Sequence, residues 1–322
     1  MTFRVLLLFS GLLVPIATSS ARERVEEKSF LTSGIAELNV KSYGGNLTIE
    51  DSPDDIMRVK VVATSQLSDD QAADRALQTL EFTSHQEGDR VTLEVANPPE
   101  TSPHFSWDDK AHLELAITVT VPRTCRLNLV TGKGEIRIGE IRGDVQARVG
   151  QGAILCRYVD GSVSAYAVSG DILVSHCTGD VDLRTDRGGI RTGRIEGRAT
   201  LSATSGDIDI MSAARGLKVS VDGGDLTAGI PRQFSGDSSL LASGGNITLK
   251  IDPAARLDLD ASAVWGRVRS LTKRPLGFSL VPVSGGLGQK TLIGKINSGG
   301  ARLQVHASGG HVNLAAEASP FG

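Results

Sequence analysis

Large aromatic side chains are scarce in this sequence: Phe, Trp and Tyr together make up 4% of its 322 residues. A core packed around big rings is excluded. So is the interleaving of aromatic and basic side chains that grips single-stranded nucleic acid. Charge of one sign is lacking as well, because a formal net charge of −3 supplies no global basic field for nucleic acid or anionic lipid. Cysteine is limited to Cys125, Cys156 and Cys177, and an odd count does not describe a disulfide framework. No Gly-x-x-x-x-Gly-Lys loop is present to cradle a phosphate.

Long apolar runs are missing beyond the first residues. Arg4 precedes an apolar stretch from Val5 to Ile16, and Ser19 and Ala21 fit the −3 and −1 positions of a signal-peptidase site just before Arg22-Glu23-Arg24. That stretch is shorter than the roughly 20 apolar residues of a membrane span. No cysteine follows it to carry a lipid. The expectation is a signal peptide over 1–21, a single elongated domain over 22–317 and a short tail over 318–322. The chain is then exported, to the periplasm, the cell envelope or the medium, with no integral membrane segment after cleavage.

What the sequence has in surplus is glycine, 37 residues of it, and the glycines are periodic. An aliphatic residue recurs every nine positions at Ile136, Val145, Ile154, Val163, Ile172, Val181, Ile190, Ala199, Ile208, Leu217 and Leu226. Two residues before each stands a glycine, with Arg215 the one exception. The two halves of the pattern differ, so the full unit is eighteen: the fourth residue after the aliphatic reads Glu140, Tyr158, His176, Arg194, Ser212 in one half and Val149, Ala167, Thr185, Ala203, Val221 in the other. Each unit holds two short strands with period-2 alternation joined by two unlike corners, where glycine tolerates a positive φ. Stacking such coils about 4.8 Å apart pairs each strand in parallel with its neighbours. The predicted fold is therefore all-β, a right-handed parallel β-helix (β-solenoid) of about 18 residues per coil, most regular over 121–251. Cys156 and Cys177 occupy aliphatic positions, where a thiol acts as a small hydrophobe.

Outside that region the pattern loosens. Tyr43 to Ile49 reads as a first rung, Ser68 as the cap of a short helix over Asp69–Leu80, and Val91–Val95 and Leu113–Val121 as strands. The proline-rich stretch Asn97–Lys110 and the stretch Ser270–Gln289 read as loops. Late rungs are expected at Ser243–Ile247, Gly266–Val268, Gly299–Leu303 and Ser308–Leu314.

The motifs Ser169-Gly170-Asp171-Ile172, Ser205-Gly206-Asp207-Ile208 and Ser243-Gly244-Gly245-Asn246-Ile247, after a Val121-Pro122 lead-in, resemble the bacterial adhesin family built on domain of unknown function 4097. The resemblance covers most of the chain beyond 21 and is strongest from Thr120 to Ile251. It implies an exported or envelope-associated β-solenoid and offers no catalytic residues to carry over.

Three candidate chemistries follow. A nine-residue period also marks calcium-binding rolls, but those need Gly-Gly-x-Gly-x-Asp in every turn. Here the residue before the aliphatic is Asp only at Asp144, Asp171, Asp180, Asp207 and Asp225, so the aspartates read as turn formers bonding nearby amides. No metal or cofactor is expected. A carbohydrate-active enzyme of the β-helix type, lyase or hydrolase, would need converging carboxylates. Asp207 with Asp209, Asp180 with Asp182, and His176 between Tyr158 and Arg194 are the nearest approaches, and none has nucleophile or metal-ligand spacing. The third is a surface stack: Arg148, Tyr166 and Arg184 share one outward position in three successive coils, with Gln146, Ser164 and Asp182 beside them. An aromatic ring between two guanidiniums can hold an anionic sugar, or the ladder can simply stabilise a solvated face. The expected function is thus a non-catalytic exported scaffold or adhesin for an unknown surface partner, glycan or protein and not nucleic acid. The enzyme is the alternative, and a purely structural periplasmic element stands third.

Overall fold

The computed structural model describes residues 22–67, 69–96, 113–271, 278–284 and 289–317. The expected signal peptide, the helix cap Ser68, the loop over Asn97–Lys110 and the tail lie outside the described residues. The chain begins with β1 (Arg22–Leu31), β2 (Ala36–Ser42), β3 (Asn46–Ser52), β4 (Ile56–Ser65) and the helix α1 (Asp70–Gln78), followed by β5 (Glu81–Glu87), β6 (Arg90–Ala96) and β7 (Leu113–Pro122). The regular region comprises β8 (Cys125–Lys133), β9 (Ile136–Arg142), β10 (Val145–Gln151), β11 (Ile154–Asp160), β12 (Val163–Ser169), β13 (Ile172–Cys177), β14 (Val181–Arg187), β15 (Ile190–Ile195), β16 (Ala199–Ser205), β17 (Ile208–Ala213), β18 (Leu217–Gly223) and β19 (Leu226–Ile230). The chain closes with β20 (Ser238–Ala242), β21 (Ile247–Ile251), β22 (Leu257–Val264), β23 (Val268–Ser270), β24 (Phe278–Ser284), β25 (Gln289–Ile296), β26 (Ala301–Ala307) and β27 (Val312–Ala316).

Through the regular region successive strands fall alternately into two sheets. One runs β1-β4-β7-β3-β9-β11-β13-β15-β17-β19-β21-β27-β23 and the other β24-β25-β22-β26-β20-β18-β16-β14-β12-β10-β8-β2-β6-β5. Pairing is parallel from β7 to β23 in the first and from β22 to β6 in the second. Inward side chains form columns along the stack. Ile136, Ile154, Ile172, Ile190, Ile208, Leu226 and Ile247 pair in one register and are fully buried. Val145, Val163, Val181, Ala199 and Leu217 do the same across the core. The columns of this narrow interior are filled by aliphatic and small residues, which accounts for the scarcity of aromatics; the one buried ring among the described residues, Phe234, belongs to the off-period segment between β19 and β20. Cys125, Cys156 and Cys177 are all free and buried in the interior.

Both ends depart from the simple stack. At the start, β2 and β3 form a rung against β8 and β9, after which the chain turns back outside that rung. There β6 pairs with β2 in parallel and β7 with β3, while β1, β4 and β7 build an antiparallel wall that no period in the sequence announced. The helix caps this wall. Its N-cap is Asp69 and not the expected Ser68, because the Asp69 carboxylate accepts from the Gln71 and Ala72 amides, and the helix ends at Gln78, short of the expected Leu80. Ala73, Ala76 and Leu77 are buried, and Arg24 donates to the Leu77 and Leu80 carbonyls at 3.1 and 3.0 Å to close the helix C-terminal end. At the other end the expected loop over Ser270–Gln289 is in part a strand, since β24 pairs antiparallel with β25 and β25 with β22. The apolar run Phe278–Val283 finds a sheet edge to join, which overrides its lack of period. The last strands, β26 and β27, slot between β20 and β22 and between β21 and β23, so the coil ends out of chain order.

Candidate functional site

The corners decide what the aspartates do. Each corner Asp or Asn accepts the backbone amide of the equivalent residue in the next coil. Asp144 takes Ser162 at 2.9 Å, Asp180 takes Arg198 at 2.8 Å and Asp171 takes Gly189 at 2.8 Å. A longer run follows: Asp207 bonds the Asp225 amide, Asp225 the Asn246 amide, Asn246 the His311 amide and His311 Nδ1 the Arg267 amide, at 2.8, 2.7, 3.0 and 3.0 Å. The expected turn formers thus act between coils, not within one turn, stapling corners that would leave outward N–H groups unpaired. Among the described residues no group of three or more His, Cys, Asp or Glu is placed to hold a metal ion.

The same staple separates the carboxylate pairs weighed for catalysis. Asp207 and Asp180 face along the corner, while Asp209 lies on β17 opposite Arg191 and Thr227, and Asp182 pairs with Arg184 at 3.2 Å. His176 does lie in a column of polar residues, Glu140, Tyr158, His176, Arg194 and Ser212. Its ring tilts against Tyr158 at 4.9 Å between centroids, and its Nε2 stands 3.4 Å from Glu196, which also takes Arg194 at 3.3 Å. Among the described residues no hydroxyl or thiol hydrogen-bonds to the His176 Nε2.

The three residues singled out for binding are brought together. Arg148 pairs with Tyr166 and Tyr166 with Arg184 on adjacent parallel strands β10, β12 and β14. Alternation puts them outward, because Ala147, Val149, Ala165, Ala167, Leu183 and Thr185 on either side are buried. The Tyr166 hydroxyl donates to Asp186 at 2.8 Å, a partner the sequence reading did not name, and that bond raises the phenol pKa. Arg184 is held by Asp182, whereas Arg148 has no ion-pair partner among the described residues. Two residues back along the same face, Gln146, Ser164, Asp182 and Thr200 line a shallow groove of about 450 Å³ with Asp144, Ser162, Asp180 and Arg198. Stack and groove together expose an aromatic face, unpaired guanidinium donors and carboxylate acceptors along one strip.

A second groove, of about 950 Å³, was not legible in the sequence. It gathers Arg194, Arg215 and Arg232 beside Glu196, Ser212 and Ser235. Arg232 belongs to the off-period segment between β19 and β20, so no spacing connected it to the other two.

Nearly all-β, built from two sheets of mostly parallel strands with a polar ladder on its outer face, the chain has the form of a stacked, solenoid-like protein. The family model named Toastrack DUF4097 matches residues 35–315, and the chain belongs to that family. Among solved structures it is similar to three proteins described as putative adhesins. That from Parabacteroides distasonis shows 14% identity and a TM-score of 0.44 over 90% of this chain and 97% of that one. That from Parabacteroides merdae shows 11% and 0.42 over 90% and 96%, and that from Bacteroides fragilis 11% and 0.40 over 91% and 97%. No curated protein matches the sequence.

Proposed function

We propose that this chain is a non-catalytic, exported scaffold of the bacterial cell envelope that binds a carboxylated glycan on its outer face. In this reading residues 22–317 form a single domain, a right-handed parallel β-helix of about 18 residues per coil, and residues 1–21 are the export signal. The observation that carries the reading is the stack of Arg148, Tyr166 and Arg184 in one register. A pyranose ring lies on the Tyr166 face, which Asp186 holds in place. Its carboxylate takes the Arg148 guanidinium, the one cation of the stack not neutralised within the strip, and its hydroxyls donate to Asp182 and Asp186. A ladder that served stability alone would pair Arg148 as it pairs Arg184. A polymer laid along the strip also reaches the groove beside it, so successive sugars meet successive coils.

The test is binding of the chain from Arg22 onward to acidic and neutral polysaccharides, with Arg148→Ala plus Arg184→Ala as the variant. Loss of acidic-glycan binding by tenfold or more with an unchanged unfolding midpoint supports the site. Unchanged binding sinks it. Binding that survives this variant but falls with Arg215→Ala plus Arg232→Ala moves the site to the second groove and overturns the proposal.

A further inference from the structure

The charge of this chain is divided unevenly. From residue 261 to residue 316 there are seven Lys and Arg and no Asp or Glu, so the rest of the sequence carries a formal −10. The small net charge hides a basic end. Lys273 and Arg274 lie outside the described residues; of the others, Arg267 and Arg269 beside and on β23, Lys290 and Lys295 on β25, and Arg302 on β26 belong to the last coils and are all exposed. None of the five has an ion-pair partner among the described residues, although Asp258 stands opposite Lys295 on β22.

At the corner between β22 and β23, on the outermost parallel rung, stands Trp265. It is 81% exposed, and its φ is +61°. Along the stack its equivalents are Gly309, Gly244 and Gly223, so no side chain in the coils beneath offers the ring a surface to pack on. A bulky residue in the left-handed region is strained, and glycine would relieve that strain. The ring buries almost nothing in return. Leu271, after β23 on the same rung, is 60% exposed, and Ile293 on β25 is 43% exposed. Exposed Trp and aliphatic side chains set among unpaired cations form the composition that settles into the headgroup layer of an anionic bilayer. A sugar site would instead hold such a ring on a face lined with acceptors, as Tyr166 is held.

We propose that the C-terminal end of the stack docks on an anionic lipid surface. Trp265 enters the headgroup region and Arg267, Arg269 and Lys290 face the lipid phosphates. The coils then stand away from the membrane with the glycan strip on their side. No helix among the described residues is long and apolar enough to span a bilayer, so the contact is peripheral.

The experiment uses the chain from Arg22 onward, which retains every described strand and the helix and removes the apolar Val5–Ile16 stretch as a source of binding. Trp107→Phe leaves Trp265 as the sole tryptophan. Vesicles of phosphatidylglycerol with phosphatidylcholine are compared with phosphatidylcholine alone at low and high salt. The expected result is sedimentation with the anionic vesicles only, a blue-shifted Trp265 emission and release at high salt. Arg267→Glu plus Arg269→Glu should weaken binding on the order of tenfold or more, since each basic residue near the surface contributes about fivefold. Trp265→Gly should weaken it while leaving the melting temperature unchanged or higher. Equal sedimentation with both vesicles, or binding indifferent to both variants, overturns the proposal. So does an acidic polysaccharide that shifts the Trp265 emission when anionic vesicles do not.

Discussion

The sharpest consequence of stacked corners concerns glycine, and three positions separate its two roles. Gly170 has φ +148°, and a Cβ there would overlap the Gly152 carbonyl oxygen and stand 2.5 Å from its carbonyl carbon. The coils cannot part to make room without lengthening bonds on either side: the Gly152 amide donates to the Ser169 carbonyl at 2.8 Å and the Ile154 amide to the Asp171 carbonyl at 2.9 Å. A residue forced into that backbone region costs of order 1–3 kcal/mol, and each weakened hydrogen bond about 1 kcal/mol more. Gly170→Ala should therefore destabilise by roughly 3–5 kcal/mol. Gly88, in the β5–β6 turn, has φ +59° and open space around it, so Gly88→Ala isolates the backbone cost at about 1 kcal/mol. Gly179 is the converse. It is not among the positive-φ glycines, yet its Cβ would lie 2.5 Å from the Gly161 carbonyl oxygen, so Gly179→Ala reports the stacking cost at about 2 kcal/mol. Urea unfolding, with the m-value checked for constancy, gives all three. If Gly170→Ala costs no more than Gly88→Ala, the corners are not in contact and the tight stacking is wrong.

The other predictions concern the core thiols and the corner ladder. Burial pushes the Cys125 and Cys156 thiols up to about 12 and Cys177 to about 11, so none should react with a thiol reagent at mild pH until the chain unfolds. Because the unfolded thiols ionise near pH 8.5 and the folded ones do not, the unfolded state binds fewer protons above that value; the thiols' contribution to stability should be constant below about pH 8.5 and fall as pH rises towards 11–12, a trend that Cys156→Val and Cys177→Val should flatten. Asp207→Asn keeps an acceptor for the Asp225 amide and should change stability by no more than about 0.5 kcal/mol, whereas Asp207→Ala should lose about 1 kcal/mol; calcium or a chelator should leave the melting temperature of both where it was, and a calcium-dependent rise in the parent chain would show that the carboxylates hold an ion.

How far the sequence is legible depends on whether a feature repeats. Ile154, Ile172 and Ile190 could be assigned to one column from spacing alone, because a period-2 strand and a fixed coil leave a single inward register. The same arithmetic brought Arg148, Tyr166 and Arg184 together. It could not reveal what each side chain then does. Asp186 reaches Tyr166 from twenty residues on, and Glu196 joins His176 to Arg194, because outward side chains choose partners by rotamer and not by register. The corner aspartates look like local turn formers in a linear sequence, which shows only the residue that follows, whereas the amide they meet belongs to the coil above. The basic end was hidden for a related reason: a total of −3 averages over a stretch of one sign and a remainder of the other.

The order of the end rungs was illegible on different grounds. A rung's own pattern states which side chains face inward, and any parallel neighbour satisfies its ladder equally well, so nothing in Ala301–Leu314 says whether it follows β23 or precedes it. The choice is made by what the stack must avoid. A solenoid built strictly in chain order would finish on a full-length parallel strand, with the same unpaired N–H and C=O groups that recruit the next coil inside the protein, and another copy could add there. The chain prevents this by leaving the stack, building a cover and returning beneath it. At the start the cover is the antiparallel wall ending in β1, whose Arg22, Glu23, Arg24, Glu26, Glu27 and Lys28 make its edge a poor template, with the β5–β6 hairpin closing the other sheet. At the far end β24 and β25 close one sheet, and the other stops at β23, a strand of three residues. That shortest edge is also where Trp265, Arg267 and Arg269 are exposed. An end too short to pair with a strand but equipped with an aromatic ring and free cations is suited to meeting a surface that has no strands, which is why the two ends of one stack can differ in purpose.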